Sequence, residues 1–183
     1  MRVILQLLTP ARYLRVVATG FDKVLVDWVL PLLFALAVTL LWRAKPDALP
    51  LLGQNGFIST VASFMQMLVG FYVAALAAVA TFGSSSLDED VLNMKLDGNP
   101  IKRRDFLSYL FGYLAIVSLG LYVVMLFRLL LIWGLNSLPV AAVPAAALAL
   151  VFAHQFVFWQ MVFITLLGLH YLTDRIHRSN DDV

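Results

Sequence analysis

Residues 57–82 carry no charged side chain, and this run limits the possible folds more than any other feature of the chain. As a helix, its 26 residues would be about 39 Å long, which exceeds the roughly 30 Å of a bilayer's hydrocarbon core. Three further apolar runs, 24–42, 106–135 and 140–172, are also long enough to cross. Only 13% of all residues are charged, against about 25% in soluble domains. We therefore predict an all-α polytopic membrane protein with four transmembrane helices.

The segments between the runs predict the rest of the architecture. Basic and apolar residues alternate in 1–23, which is typical of an amphipathic helix lying in the membrane interface. In the polar connection 83–105, Ser86 and Glu89 have the spacing of a capping box, so we predict a short helix followed by a turn at 97–100. The third and fourth runs exceed the length needed to cross, which predicts helical cytoplasmic extensions around this loop.

Lysine and arginine are distributed unevenly between the two sides that four spans would define. Ten lie in the N-terminal segment, the connection 83–105 and the tail 173–183, whereas Arg43 and Lys45 lie on the opposite side. By the positive-inside rule, both termini and the long connection face the cytoplasm, and the short turn 136–139 faces outward.

The second run has a polar stripe along one side. Small and polar side chains recur there in steps of three or four, which aligns them on one face of a helix. The stripe consists of Ser59, Ser63, Gln66, Gly70, Ala74, Ala77 and Thr81. It either packs closely against another helix or lines a central pore. One protomer of four spans is too small to enclose an ion path easily, so the pore interpretation requires a homo-oligomer.

Small residues also recur at the spacing that lets membrane helices pack closely. They are Gly70, Ala74 and Ala78 in the second run and Ala145, Ala149 and Ala153 in the fourth. This spacing supports the close-packing interpretation of the polar stripe, and the sequence leaves both interpretations open.

Two charged side chains lie inside the predicted spans. Asp27 is either a proton or cation site, or an interfacial carboxylate that pairs with a basic side chain such as Lys23, four residues away. Arg128 either forms a charge ring at the outer mouth, pairs with Asp47, or extends to the outer interface.

The fourth run carries four polar side chains, His154, Gln155, Gln160 and His170. They either line a pore or proton relay, or form hydrogen bonds between helices. The histidine spacing does not suit a metal site and the chain has no cysteine, so we expect neither a metal nor a cofactor. The sequence contains no nucleophile elbow and no glycine-rich phosphate loop, and we expect no enzymatic activity.

A basic run, Lys102, Arg103 and Arg104, precedes the third span. Such a run usually contacts lipid headgroups. The alternative is a phosphate-bearing ligand at the cytoplasmic face, such as a nucleotide or a single-stranded nucleic acid. Acidic residues in the same connection weaken that alternative, because the loop as a whole is not net basic.

The region 71–114 contains FYVAALAAVATF, LDEDVLNMKLDG and IKRRDFLSYLFGYLA in this order. In layout it resembles small four-span membrane effectors of bacterial anti-phage defence, such as the membrane component of Hailong-type systems. The resemblance implies a multi-pass protein of the bacterial inner membrane that forms an oligomeric channel under the control of a cytoplasmic nucleotide or nucleic-acid ligand.

Three functions are consistent with these features. The first is a homo-oligomeric ion channel or membrane-permeabilising effector, gated from the cytoplasmic side. The second is a non-conducting anchor that recruits a cytoplasmic partner protein through 83–105. The third is a small transporter that uses Asp27 and His170 for proton coupling, although the four spans show no inverted repeat.

Overall fold

The computed structural model describes residues 9–18, 22–45, 57–81, 87–127 and 143–178. The protein is mostly helical, with four helices long and apolar enough to cross a membrane, as the sequence predicts. We number them α1 (Asp22–Ala44), α2 (Phe57–Thr81), α3 (Arg103–Leu126) and α4 (Val143–Arg178). Arg128, Asp47 and the predicted turn at 136–139 lie outside the described residues.

Three of the helices alternate in direction. The ring of Phe106 lies 5.2 Å from that of Tyr171, and the Tyr113 hydroxyl lies 3.0 Å from the Gln160 side chain. Residue numbers therefore rise along α3 as they fall along α4, so these helices are antiparallel. At the start of α3, the Arg104 side chain reaches the carbonyl of Val79 near the end of α2, as expected for an antiparallel neighbour.

The first helix packs on the fourth in a different way. Trp28 lies 6.0 Å from Phe156, and Phe34 lies 5.3 Å from Phe163, measured between ring centres. Residue numbers therefore rise along α1 as they rise along α4, so these two helices are parallel. Four spans that crossed in alternation would make α1 and α4 antiparallel, so the packing of α1 departs from the arrangement that the sequence predicts.

The start of α1 is not a regular α-helix. A π-helical stretch, Leu25–Val29, separates one short α-helical turn from Leu30–Ala44. The N–H of Leu30 donates to the carbonyl of Leu25, five residues earlier. Pro31 follows at once, and it has no N–H to offer the carbonyl four residues before it, which belongs to Asp27.

The polar connection forms a β-hairpin, so the predicted short helix is wrong. Strand β2 (Asp90–Leu96) pairs antiparallel with β3 (Asn99–Lys102). Asp97 and Gly98 join them with φ angles of 51° and 88°. Positive φ at both central residues of a hairpin turn favours Asp-Gly, and the turn itself was correctly predicted. Val91 of β2 is buried.

The N-terminal segment, residues 9–18, completes a three-stranded sheet. A 3-10 helix (Thr9–Arg15) leads into β1 (Val16–Ala18), which pairs antiparallel with β2. The sequence predicts an interfacial helix here, but the side chains of Tyr13 and Val16 are buried within the protein. The fold is therefore a helical bundle with a small sheet rather than purely α-helical.

Candidate functional site

Asp27 lies at the centre of a buried polar cluster. Its carboxylate accepts a hydrogen bond of 2.8 Å from the Tyr13 hydroxyl and forms an ion pair with Lys23. The Lys23 ammonium also lies 4.3 Å from the centre of the Tyr13 ring, in cation–π geometry. Asp27 is fully buried and Lys23 nearly so. Each charge therefore depends on the other, because an unpaired charge in such a place is strongly destabilising.

A glutamine on α4 connects this pair to two further helices. The Gln160 Nε2 group donates to the Asp27 carbonyl at 3.1 Å, and its Oε1 atom accepts from the Tyr113 hydroxyl at 3.0 Å. The Asp27 carbonyl is the one that Pro31 leaves without its α-helical donor. Gln160 therefore forms hydrogen bonds between helices, which is one of the two roles that the sequence suggests for the polar side chains of the fourth run.

The cluster joins four parts of the protein. Tyr13 stacks on Tyr113 with ring centres 5.4 Å apart, so the N-terminal segment packs directly on α3. Gly112 permits this approach, because a Cβ atom there would lie 3.0 Å from the Cβ of Pro10. We call Tyr13, Lys23, Asp27, Tyr113 and Gln160 the Asp27 cluster.

The Tyr13 hydroxyl serves the cluster only while it is protonated. Burial, and then the negative charge of Asp27, raise the pKa of Tyr13 well above its usual range. Tyr13 therefore stays neutral in the folded protein and donates its proton to the Asp27 carboxylate.

Alkaline pH is expected to destabilise the protein through Tyr13. An unfolded-state tyrosine ionises near pH 10, whereas the folded state resists ionisation, so this contribution is complete below about pH 10 and is lost as pH rises. Between about pH 8 and about pH 11, the thermal unfolding midpoint in detergent should fall more steeply for the natural protein than for Tyr13→Phe. Parallel curves would contradict this assignment.

The polar stripe lies on the outer surface of the chain. Ser63, Gln66, Gly70, Ala74, Ala77 and Thr81 are all exposed. The side chain of Ser59 is outside the part that the structure describes. The opposite side of α2 is buried in the bundle through Val61, Met65, Tyr72 and Val79. A Cβ added to Gly70 would meet no atom within 4 Å. The stripe therefore does not pack against another described helix of this chain.

Close helix packing occurs elsewhere. A Cβ atom on Gly168 of α4 would lie 2.8 Å from Leu110 Cδ2 and 3.4 Å from the Phe111 ring. Ala145, Ala149 and Ala153, which have the spacing for close packing, are exposed instead. Within the protomer, the described contact between α3 and α4 therefore depends on Gly168 rather than on the small-residue patterns that the sequence emphasises.

The basic run does not form one continuous patch. Lys102 is exposed, whereas Arg103 is buried. Arg104 donates from Nε to Asp88 at 3.1 Å and from Nη1 to the carbonyl of Val79 at 3.1 Å. Arg104 thus links the segment before the hairpin to the last turns of α2, and its charge is already partnered.

The remaining polar residues are dispersed along α4. His170 is exposed beside the Tyr171 ring, and His154 is half-buried. Asp27 binds Tyr13, Lys23 and Gln160, whereas His170 lies about 15 Å beyond Gln160 along α4. The described contacts therefore do not bring together the pair that a transporter would use. Among the described residues, no three His, Asp or Glu side chains form a group that could hold a metal ion.

Sequence reasoning missed the two tyrosines of the Asp27 cluster. Tyr13 lies in the segment 1–23, which is predicted to be an interfacial helix, and no local pattern connects it with Tyr113 a hundred residues later. Only the Lys23–Asp27 pair was predictable from the sequence, because residues four apart share a helix face. Comparison with known proteins adds no further residue, since no protein-family model, no curated protein and no solved structure matches the chain.

Proposed function

We propose that the protein is a homo-oligomeric channel, or a membrane-permeabilising effector, of the bacterial inner membrane. One observation carries the proposal, namely that the polar stripe of α2 faces away from its own protomer. An exposed Gln66 amide in the hydrocarbon core would lack hydrogen-bond partners, which is costly. A ring of subunits that turned this face towards a common axis would place the amide in water or against a symmetry mate.

The composition of the stripe fits a pore better than a fully packed interface. Its exposed members are small or uncharged polar groups, and Gly70 leaves open space around the backbone. The Thr81 hydroxyl donates to the carbonyl of Ala77 in its own helix, at 2.9 Å, so its oxygen still has a lone pair to offer water or an ion. A path lined in this way would favour small ions without strong charge selection.

The hairpin is the proposed gate on the cytoplasmic side. Arg104 binds both Asp88, just before β2, and the carbonyl of Val79, two residues before Thr81 at the end of the stripe. A ligand or partner protein that moved the hairpin would therefore pull on the pore-lining helix. The connection 83–105 carries four basic residues, Lys95, Lys102, Arg103 and Arg104, which supports a cytoplasmic position for this gate.

Gln66→Leu tests the placement of the pore. In liposomes, ion flux through the purified protein should fall at least about tenfold, because an apolar side chain raises the barrier to hydrated ions at that level. The matched control is Phe64→Leu, an exposed apolar position on another side of α2, which should leave flux unchanged. The oligomer mass in detergent should be the same for both variants. Equal flux from Gln66→Leu and the natural protein would refute the placement.

A non-conducting anchor is the alternative function. The observation that favours it is the exposed polar surface of the hairpin and of the two residues before it. Asp88 and Glu89 precede β2, and they face solvent together with Lys95 and Asp97 of the hairpin. Liposomes that stay impermeable at every ligand condition, together with a cytoplasmic protein that binds only when the hairpin is present, would support the anchor. The resemblance of 71–114 to anti-phage effectors proposes infection as the setting, and phage plating on cells with and without the gene tests it.

A further inference from the structure

We propose that Arg103 binds the phosphate of an anionic phospholipid headgroup at the point where α3 enters the membrane. The inference rests on the start of α3 alone and does not depend on the channel function. Arg103 is 8% exposed, and its Nε atom has no hydrogen-bond partner in the protein. A guanidinium is always charged, and an uncompensated charge in a buried place is strongly destabilising. The buried cation therefore needs a counter-charge.

The acidic residues just before the hairpin do not supply this counter-charge. Asp88 is already paired with Arg104, whose Nε atom lies 3.1 Å from its carboxylate. Glu89 contacts Arg103 through its backbone, since its carbonyl accepts a hydrogen bond of 2.9 Å from the Arg103 N–H. In the described ranges of the chain, no carboxylate forms an ion pair with Arg103. We therefore expect the counter-charge to come from a bound ligand.

The start of α3 is a second reason to expect an anion here. Lys102 occupies the N-cap position, and its side chain makes no capping hydrogen bond, because an ammonium has no acceptor. The first N–H groups of a helix lack intrahelical partners, and the helix dipole places partial positive charge beside them. The exposed Asp105 in the first turn compensates part of this charge. The guanidinium and the helix end together are suited to a phosphate group.

The position of Arg103 favours a lipid as the source of the phosphate. The apolar span of α3 begins at Arg103, and the side chains of Phe106 and Leu107 that follow are fully buried in the bundle. The polar strand β3 ends at the residue before it. A boundary between a polar connection and an apolar span lies at the level of the headgroups, next to the hydrocarbon core.

The shape of a guanidinium is suited to one phosphate. Its N–H groups form a planar fork that matches two phosphate oxygens at once. In Arg103, Nε is the nitrogen that is closed off without a partner, so the two Nη groups are left to bind the oxygens. Lys102 lies opposite Asp90 in the β2–β3 pair, and Arg104 is bound to Asp88, so each of them already has a neighbouring carboxylate. Arg103 is therefore the centre of the site.

The first test measures stability without any lipid. In non-ionic detergent and chloride buffer, Arg103→Met should unfold at the same temperature as the natural protein or at a higher one, because it removes an uncompensated buried charge. Lys95→Met, at an exposed position in β2, is the matched control for the loss of one positive charge. A folded Arg103→Met variant with a clearly lower midpoint than this control would show that Arg103 has its counter-charge within the protein, and would overturn the proposal.

The second test adds lipid to the same detergent solution. Dioleoylphosphatidylglycerol should raise the unfolding midpoint of the natural protein by at least about 3 °C more than dioleoylphosphatidylcholine, whose choline neutralises its own phosphate. This difference between the two lipids should disappear in Arg103→Met and persist in Lys95→Met. Arg103→Lys keeps the charge but loses the planar fork, so it should retain only part of the difference.

Inorganic phosphate identifies the source of the phosphate group. When it replaces chloride at matched ionic strength, the midpoint of the natural protein should not change. A rise that is lost in Arg103→Met would retain the site but assign it to a soluble phosphate. Equal midpoints in the two lipids, or a difference that survives in Arg103→Met, would overturn the proposal. If Arg103→Met does not fold, a full lipid response in Arg103→Lys overturns it instead. Ion flux is not measured, so a silent liposome assay would reject the channel and leave this site intact.

Discussion

Replacing Lys23 by methionine is expected to lower the free energy of unfolding by about 3–5 kcal/mol, because it leaves the buried Asp27 carboxylate without its cation. Detergent-based unfolding of the purified protein measures this loss. An unchanged free energy of unfolding in Lys23→Met would contradict this account of the ion pair.

The control for this prediction removes both charges together. Lys23→Met combined with Asp27→Leu should recover most of the lost stability, because a buried ion pair and a well-packed apolar pair of similar volume are often close in energy. The difference between the double variant and the sum of the single variants gives the coupling energy of the pair. A coupling energy near zero would show that the two side chains do not interact as the structure describes.

Gly168→Val is expected to destabilise the protein by about 1–3 kcal/mol through crowding between α3 and α4. The first added carbon would meet Leu110 Cδ2 at 2.8 Å, and the fully buried Leu110 and Phe111 side chains leave little room to move. Gly168→Ala should lower the stability less than Gly168→Val does. The loss from crowding should still exceed the stability gained from alanine's higher helix propensity. Thermal unfolding in detergent measures both changes.

Gly120→Ala is the matched control, because it is the same substitution at a helical glycine that has no close neighbour. Gly120 lies on α3, where an added Cβ atom would meet nothing within 4 Å. This change should stabilise the protein by about 0.5–1 kcal/mol, since alanine loses less backbone entropy than glycine in a helix. A loss of stability at Gly120 similar to that at Gly168 would show that the crowding argument is wrong.

The positions of the four helices were predictable because the length of an apolar run is a strong local signal. The second run was predicted at 57–82 and the helix is Phe57–Thr81. The direction of α1 was not predictable in the same way. Alternate crossing follows from counting spans, whereas the packing of Phe34 against Phe163 depends on which surfaces fit together.

The hairpin shows where two local signals conflicted. Ser86 and Glu89 have the spacing that begins a helix, but the dipeptide Asp97-Gly98 is one that favours a two-residue hairpin turn. The dipeptide alone predicts a turn and does not show whether helix or strand lies on each side of it. The partner that decides the outcome, β1, lies far away in the chain, and single-sequence reasoning does not locate it.

The two candidate sites also differ in how far the sequence predicts them. The polar stripe was predictable because its members share one helix face, and the structure shows that this face is exposed in the protomer. The Asp27 cluster was predictable only as the pair four residues apart. Tyr113 and Gln160 join it through tertiary packing of α3 and α4, which leaves no periodic pattern in either helix.

The pairing of β1 with β2 also sets an order of assembly during synthesis. Val16 pairs with Leu96, so the ribosome must add 80 further residues before this contact exists. At about 5–20 residues per second, the earlier strand waits roughly 4–16 s for its partner. During that time Tyr13 also lacks Phe106 and Tyr113, the rings against which it packs. Docking of the N-terminal segment is therefore a late step of folding, although this segment is made before every helix that holds it.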